Sequence, residues 1–343
     1  MSSNQYLIDA ATRHQIFLQR YGAGRSKEAV KMLNQLRRKI NARLAQEPTN
    51  FQAQRLADVL RDITALSQIG FQDIKSLILM DVIDLAQSEA RFSVEMINRA
   101  STIGLTLPTE AALLTAVQST PMAVVRGIAP TISESLTKLG VSKIAQITQA
   151  ISDGVTLGNT TQVISRDVNN LVSTLIKRQV TSLTSTIINH VSSVTRKETY
   201  KQNSKYIDRY EWVSTLDGRT TFICMSRDGQ FYNVDEGPMP PAHFGCRSTT
   251  VPKIRPEFDL GLDTKATRPS LGSDGPEQVS TKTTYSGWLR KQNREFIDEA
   301  LGIERSRLFR SGALTLDKFV DPTGRVYTLR ELEGMRPLVL SDI

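Results

Sequence analysis

From the N-terminus to about residue 200, apolar side chains recur at intervals of three and four, the spacing of helices with one buried face. The first fifty residues read as two amphipathic helices. Gly22 and Gly24 in "YGAGRSKEA" interrupt the pattern, and Ser26 marks a restart. From Asn50 to about Ala100, Leu56, Leu60, Ile63, Leu66, Ile74, Leu77 and Leu85 keep helical spacing, with slippage at Gly70. Ser101 to Val125 carries Glu110 as its only charge and reads as a buried helical hairpin. The alternatives are a surface that packs on a partner or meets a bilayer transiently. A helix, a Gly-containing turn and a restart at Asn159 or Thr160 follow. Val172, Ile176, Val180, Leu183, Ile187, Val191 and Val194 then share one face of a helix of about 35 residues. His190 lies in that helix with no Cys, Asp or Glu at ligand spacing, so a structural role is expected for it.

At Tyr206 the period changes from helical to extended. "YEWVSTL" alternates, and "LDGRT" and "SRDGQFYNV" each contain an Asp-Gly turn. "DEGPMPP" reads as a rigid loop. Residues 255–284 are rich in Pro, Gly, Ser and Thr without periodicity, the pattern of a linker or a long wrapping arm. "YSGWLRKQNREFIDEALG" is an amphipathic helix closed at Gly302, and "VDPTGRVYTLRELEGM" a turn, a short strand and a short helix. The expected fold is mainly α with a small α+β module. An extended helical N-terminal half precedes a compact C-terminal domain that contains β-hairpins, with a long linker or arm. The expected parts are 1–160 (helical and basic), 161–254 (long helix plus α+β module), 255–284 (linker or arm) and 285–343 (helix, turn and strand).

At 343 residues the chain has material for about two domains. Its net charge of +8 suits an anionic partner. The charge concentrates early, with nine Lys or Arg against three acidic residues in the first fifty. In "KMLNQLRRKINARL", Lys31, Arg37, Arg38, Lys39 and Arg43 lie opposite an apolar stripe. They are the candidate DNA-facing residues, although such a face is more often simply solvated. "MSSNQYLIDAATRHQ" lacks the basic and apolar regions of a signal peptide. The most apolar run, "SLILMDVIDLA", is interrupted by Asp81 and Asp84, so no single-helix membrane span is expected. There is no Gly-rich phosphate loop, His-Glu-x-x-His or nucleophile elbow, and no enzymatic activity is expected.

Two cysteines are too few for a disulfide framework, and both lie close to a histidine. Cys224 sits in "RTTFICMSRDG", and His243 and Cys246 in "PPAHFGCRS". Their spacing leaves open a zinc site, a disulfide, a Cys–His nucleophile pair or a structural knuckle. Zinc would need a fourth ligand, from Asp228, a water or a partner. Asp217, Asp228 and Glu236 are candidate acid–base groups by sequence proximity alone.

The stretch "EWVSTLDGRTTFICMSRDGQFYNVDEGPMPPAHFGCRSTTVP" resembles the signature of the phage Mu F-like minor head morphogenesis proteins. The matching positions are Trp212, Thr215, Asp217, Arg219, Thr220, Cys224, Asp228, Gly229, Pro240, Pro241, His243, Cys246 and Arg247. The resemblance runs from about Val163 to Glu333 and includes the C-terminal "YSGWLRKQNREF" segment. Thr221 and Ser248 stand where the fuller family pattern has Cys, so a four-cysteine centre is not available and no cofactor is expected. The resemblance implies a loop-pinning knuckle, with Cys224 near Cys246 and His243 bonded to a backbone group. Asp217 would cap the turn and Arg219 would clamp the adjoining loop. It further implies a structural virion protein at the portal vertex inside the capsid, assembled in the host cytoplasm and acting in head assembly, DNA packaging or ejection. Its partners would be the portal protein, packaged double-stranded DNA and the major capsid or scaffolding protein. The alternative is an internal ejection protein that reaches the host envelope and contacts membrane transiently.

Overall fold

A computed structural model describes residues 2–49, 53–122, 130–262 and 264–335. The chain is mainly helical, with two small three-stranded sheets in its C-terminal half. It divides into two compact units, each assembled from separate stretches. One comprises Met1–Phe17, Ser88–Thr109 and Ser193–Ile343, and the other Leu18–Gln87 and Glu110–Ser192.

The second unit is helical. It contains most of α1 (Asn4–Leu44) and α2 (Ala53–Asn98), together with α3 (Glu110–Ser119), α4 (Ile132–Thr156) and α5 (Thr161–Leu171). A one-turn π-helical stretch, Val172–Ile176, leads into α6 (Lys177–Gln202). The break expected at Gly22 and Gly24 does not occur, nor does the slippage at Gly70 interrupt a helix: α1 and α2 are continuous through these positions. A glycine inside a helix costs about 1 kcal/mol relative to alanine, little enough for tertiary packing to offset. At Gly70 the gain is visible: a Cβ there would lie 3.0 Å from Leu36, so its absence lets two helices approach closely. The expected restart at Thr160 does occur, with Thr160 Oγ1 accepting from the Val163 amide. All seven apolar residues assigned to the long helix are buried. His190 is buried as well, its Nε2 3.1 Å from the Thr120 carbonyl. The hairpin expected over 101–125 is instead an irregular stretch followed by α3 alone, with residues 123–125 outside those described.

The first unit carries the sheets. β1 (Ile207–Val213) is central in the order β3-β1-β4, with β3 (Phe231–Asn233) and β4 (Thr249–Ile254) both antiparallel to it. Tyr210 pairs with Tyr232 on one side and Pro252 on the other. Leu7, Ile97, Tyr200, Tyr210, Val251 and Ile254 belong to the core behind this sheet. Residues 255–284 are no linker. They form β5 (Thr267–Gly272) and β6 (Gly275–Ser280), an antiparallel hairpin whose β5 pairs in parallel with β2 (Leu216–Asp217). The pattern hid them because β6 is an exposed edge with little burial to impose alternation. The expected helix before Gly302 is two, α8 (Tyr285–Leu289) and α9 (Arg294–Leu301), separated because Asn293 caps the second. α10 (Ile303–Arg310) follows, and another core gathers Trp288, Leu301, Phe309 and Phe319. The last helix, α11 (Leu329–Gly334), opens with a Thr328–Glu331 capping box; before it, only a Val320–Val326 bridge stands for the expected strand.

Candidate functional site

The signature residues of the sequence come together where β1, β2 and the following loops meet. Trp212 is fully buried at the end of β1, in a small apolar cluster with Cys224 and Cys246. The Arg227 guanidinium stacks over its indole at 5.1 Å, and its Nε1 donates to Ser214 Oγ at 3.0 Å. Gly229 adopts φ +78°, a conformation costly for other residues, and its amide donates to the Trp212 carbonyl at 2.8 Å.

Cys224 lies on α7 (Phe222–Arg227), a helix with no side-chain cap bond at Thr221. His243 and Cys246 lie on the loop between β3 and β4. Gly245, at φ +72°, makes the turn through which the Cys246 amide donates to the His243 carbonyl at 3.1 Å. The two sulfurs are 3.7 Å apart, and His243 Nε2 is 3.3 Å from the Cys224 sulfur. Nδ1 of the same ring lies 3.0 Å from the Phe244 carbonyl, to which it donates. Cys224 and Cys246 are thus close in space, both buried and not joined by a disulfide. The hydrogen bond between the sulfurs raises the pKa of Cys224, with burial adding to it. The same bond lowers Cys246, which His243 also stabilises as the thiolate. Burial works against an imidazolium at His243, but the hydrogen bond and charge of Cys246 outweigh it and raise the value. With Cys246 only 4% exposed, the pair is poorly placed to attack a substrate.

Two ion pairs lock the surrounding loops. Arg247 forms a bidentate pair with Asp217, with Nη2 to Oδ1 at 2.8 Å. Asp217 Oδ1 also accepts from the Arg219 amide and the Thr220 hydroxyl at 3.1 and 3.2 Å. Burial opposes the Asp217 carboxylate, but its bonds to Arg247 prevail and hold it below the ordinary range. The expected division of labour is corrected here. Asp217 caps the turn; the Arg219 side chain, 80% exposed, reaches Asp217 Oδ2 only at 3.7 Å, and Arg247 is the closer clamp.

Asp228 is no metal ligand or free acid. Oδ1 accepts from the Ser214 amide at 2.6 Å and Arg268 Nη2 at 3.0 Å, and Oδ2 from the Tyr285 amide at 2.6 Å and Arg268 Nη1 at 3.3 Å. Arg268 and Tyr285 were not legible as site residues, because Arg268 sits in the stretch that reads as a linker. Glu236 is exposed, and Pro240 and Pro241 are buried. A cavity of about 10 Å³ adjoins the cluster, lined by Cys224, His243, Thr220, Arg219, Arg247 and Ser248.

The candidate DNA-facing residues of α1 divide. Lys31, Arg38 and Lys39 are exposed, and among the described residues they form no ion pair. Arg37 donates to Asn169 Oδ1 at 3.2 Å, and Arg43 is held by Glu47 and Asp62 at 2.6 and 2.8 Å. Among the described residues no helix is long and apolar enough to cross a membrane.

No curated protein and no solved structure matches the chain. One family model does, described as Phage Mu protein F like protein, over residues 145–251. The match starts ahead of Val163, within α4, and closes in β4, so the stretch from 252 to Glu333 lies outside it. It takes in Trp212, both ion-paired aspartates, the thiol–imidazole cluster and Arg247, and this part of the chain is similar to the Phage Mu F-like family.

Proposed function

We propose that the chain is a structural protein of phage head morphogenesis, bound at the portal vertex inside the capsid. The observation that carries the reading is the family match over 145–251, which contains the whole knuckle. The build of the knuckle supports a structural role. Its two aspartates are neutralised by buried or half-buried arginines, and its thiols are enclosed. In this reading the portal protein is the principal partner, and Lys31, Arg38 and Lys39 contact packaged DNA. Replacing a lysine or arginine that touches a phosphate should reduce the salt dependence of DNA binding by about one unit of slope.

Quantitative mass spectrometry of purified particles, and of portal complexes isolated from them, tests this. Retention at low copy number on the portal through a high-salt wash is the expected result. Presence in filled heads with loss from emptied ones would replace it with the ejection reading. Complete absence from particles would overturn both.

A further inference from the structure

The geometry points to a zinc site made by Cys224, His243 and Cys246, with the fourth position taken by solvent in the adjoining cavity. All three donor atoms lie within 4.8 Å of one another. Zinc binds thiolate at about 2.3 Å and imidazole at about 2.0–2.1 Å; a tetrahedron with those bonds has edges of about 3.8 Å between sulfurs and about 3.6 Å from sulfur to nitrogen. The separations here are 3.7 Å and 3.3 Å, so a metal enters with shifts of a few tenths of an ångström.

Thiols that merely share a proton would also sit this close, so the histidine and the cavity decide the assignment. His243 Nδ1 is committed to the Phe244 carbonyl, which leaves Nε2 as the lone-pair nitrogen facing the sulfurs. Zinc-binding histidines are oriented by this kind of bond on the far nitrogen. The cavity of about 10 Å³ beside Cys224 and His243 is the size that admits a single water. Thr220 and Ser248 give that water polar partners. Asp228, the one carboxylate the sequence offered as fourth ligand, is fully engaged by Arg268 and two backbone amides.

Binding replaces two thiol protons with one divalent cation, and the protons leave to solvent. The two thiolates cancel the charge of the ion, so the buried centre is neutral, and Arg247 remains paired with Asp217. The metal would join α7 to the 241–248 loop, two segments otherwise linked through an apolar cluster of three buried residues. This inference stands whether or not the protein acts in phage heads.

The test is metal analysis of the full chain purified under reducing conditions, followed by titration of the metal-free chain with Co2+. The expected result is one zinc per chain, with thiolate-to-cobalt charge-transfer bands and intense tetrahedral d–d bands on Co2+ binding. Added azide should shift those bands by displacing the solvent ligand, and Cys246→Ser should abolish them. Should that variant fail to fold, the wild-type titration decides alone. Absence of zinc together with the octahedral spectrum of free Co2+ would overturn the assignment. So would a Cys224–Cys246 disulfide trapped in freshly lysed cells.

Discussion

Replacing Asp228 by alanine should be among the most damaging single changes in the molecule. The Asp228 and Arg268 side chains are 1% and 4% exposed, so neither charge is solvated. Removing the carboxylate leaves the guanidinium without its counter-ion and strips the amides of Ser214 and Tyr285 of their acceptor. Breaking a buried ion pair from one side costs about 3–5 kcal/mol. Each buried amide left unsatisfied costs about 1–3 kcal/mol, although water entering the space recovers part of that. A loss of roughly 5 kcal/mol is expected for Asp228→Ala, comparable to the whole stability of a weak domain.

Asp228→Ala with Arg268→Met removes both charges and leaves only the amides, so it should cost roughly 3 kcal/mol. The double variant should therefore be more stable than Asp228→Ala alone. Urea unfolding followed by tryptophan fluorescence reads this unit directly, because the two tryptophans of the chain, Trp212 and Trp288, are both buried in it. A single-variant loss below about 1 kcal/mol, within the range of exposed pairs, would refute the reasoning. So would a double variant destabilised by the sum of its two single changes.

His190 predicts a pH dependence in the helical unit. Burial lowers its pKa to about 4, against the hydrogen bond to the Thr120 carbonyl, so folding favours the neutral ring. Its contribution is complete above the ordinary value of about 6.5 and is lost as pH falls through 4, a span of roughly 3 kcal/mol. Urea midpoints from circular dichroism at pH 7 and near pH 4 should show that loss in the wild type and a flattened dependence in His190→Gln; equal slopes would remove His190 as the cause. In the other unit, a Cβ at Gly237 would fall 2.3 Å from Tyr210 Oη and 2.7 Å from the Asn233 carbonyl. Gly237→Ala should therefore cost about 2 kcal/mol or more, lowering the fluorescence-monitored midpoint, and an unchanged midpoint would mean the loop moves aside freely.

Most of the helical architecture was legible because its signal is periodic and long. The run from Val172 to Val194 places an apolar residue on one face at each turn, and all seven positions are buried. The errors came where a local cue opposed tertiary packing. Gly22 and Gly70 look like breaks to a reading that weighs propensity alone, yet each is a point where another helix comes close: Ile188 lies 3.6 Å from a Cβ built on the first, Leu36 3.0 Å from one on the second. "TRPSLGSDGPEQVS" looks irregular because Pro269 and Pro276 interrupt the alternation. Its first strand is fixed by pairing with Leu216 and Asp217, some fifty residues earlier, which no local pattern encodes.

The candidate site divides along the same line. Asp217, Asp228, Cys224, His243 and Cys246 could be picked out because rare or charged residues crowd a short stretch, but the ion-pair partners of the two aspartates could not. Arg219 and Arg247 both belong to the motif, and only the fold shows that Arg247 reaches Asp217 with two bonds while the exposed Arg219 makes only a looser ion pair with it at 3.7 Å. Arg268 arrives from a strand outside the motif altogether. The small apolar cluster around Trp212 cannot by itself fix the loops on either side of it. Directional bonds perform that task, and they do so only in one arrangement. An apolar contact tolerates sliding by an ångström, whereas a bidentate guanidinium–carboxylate pair does not. A motif whose aspartates and arginines pair with one another in this way fixes the position of its outer loops.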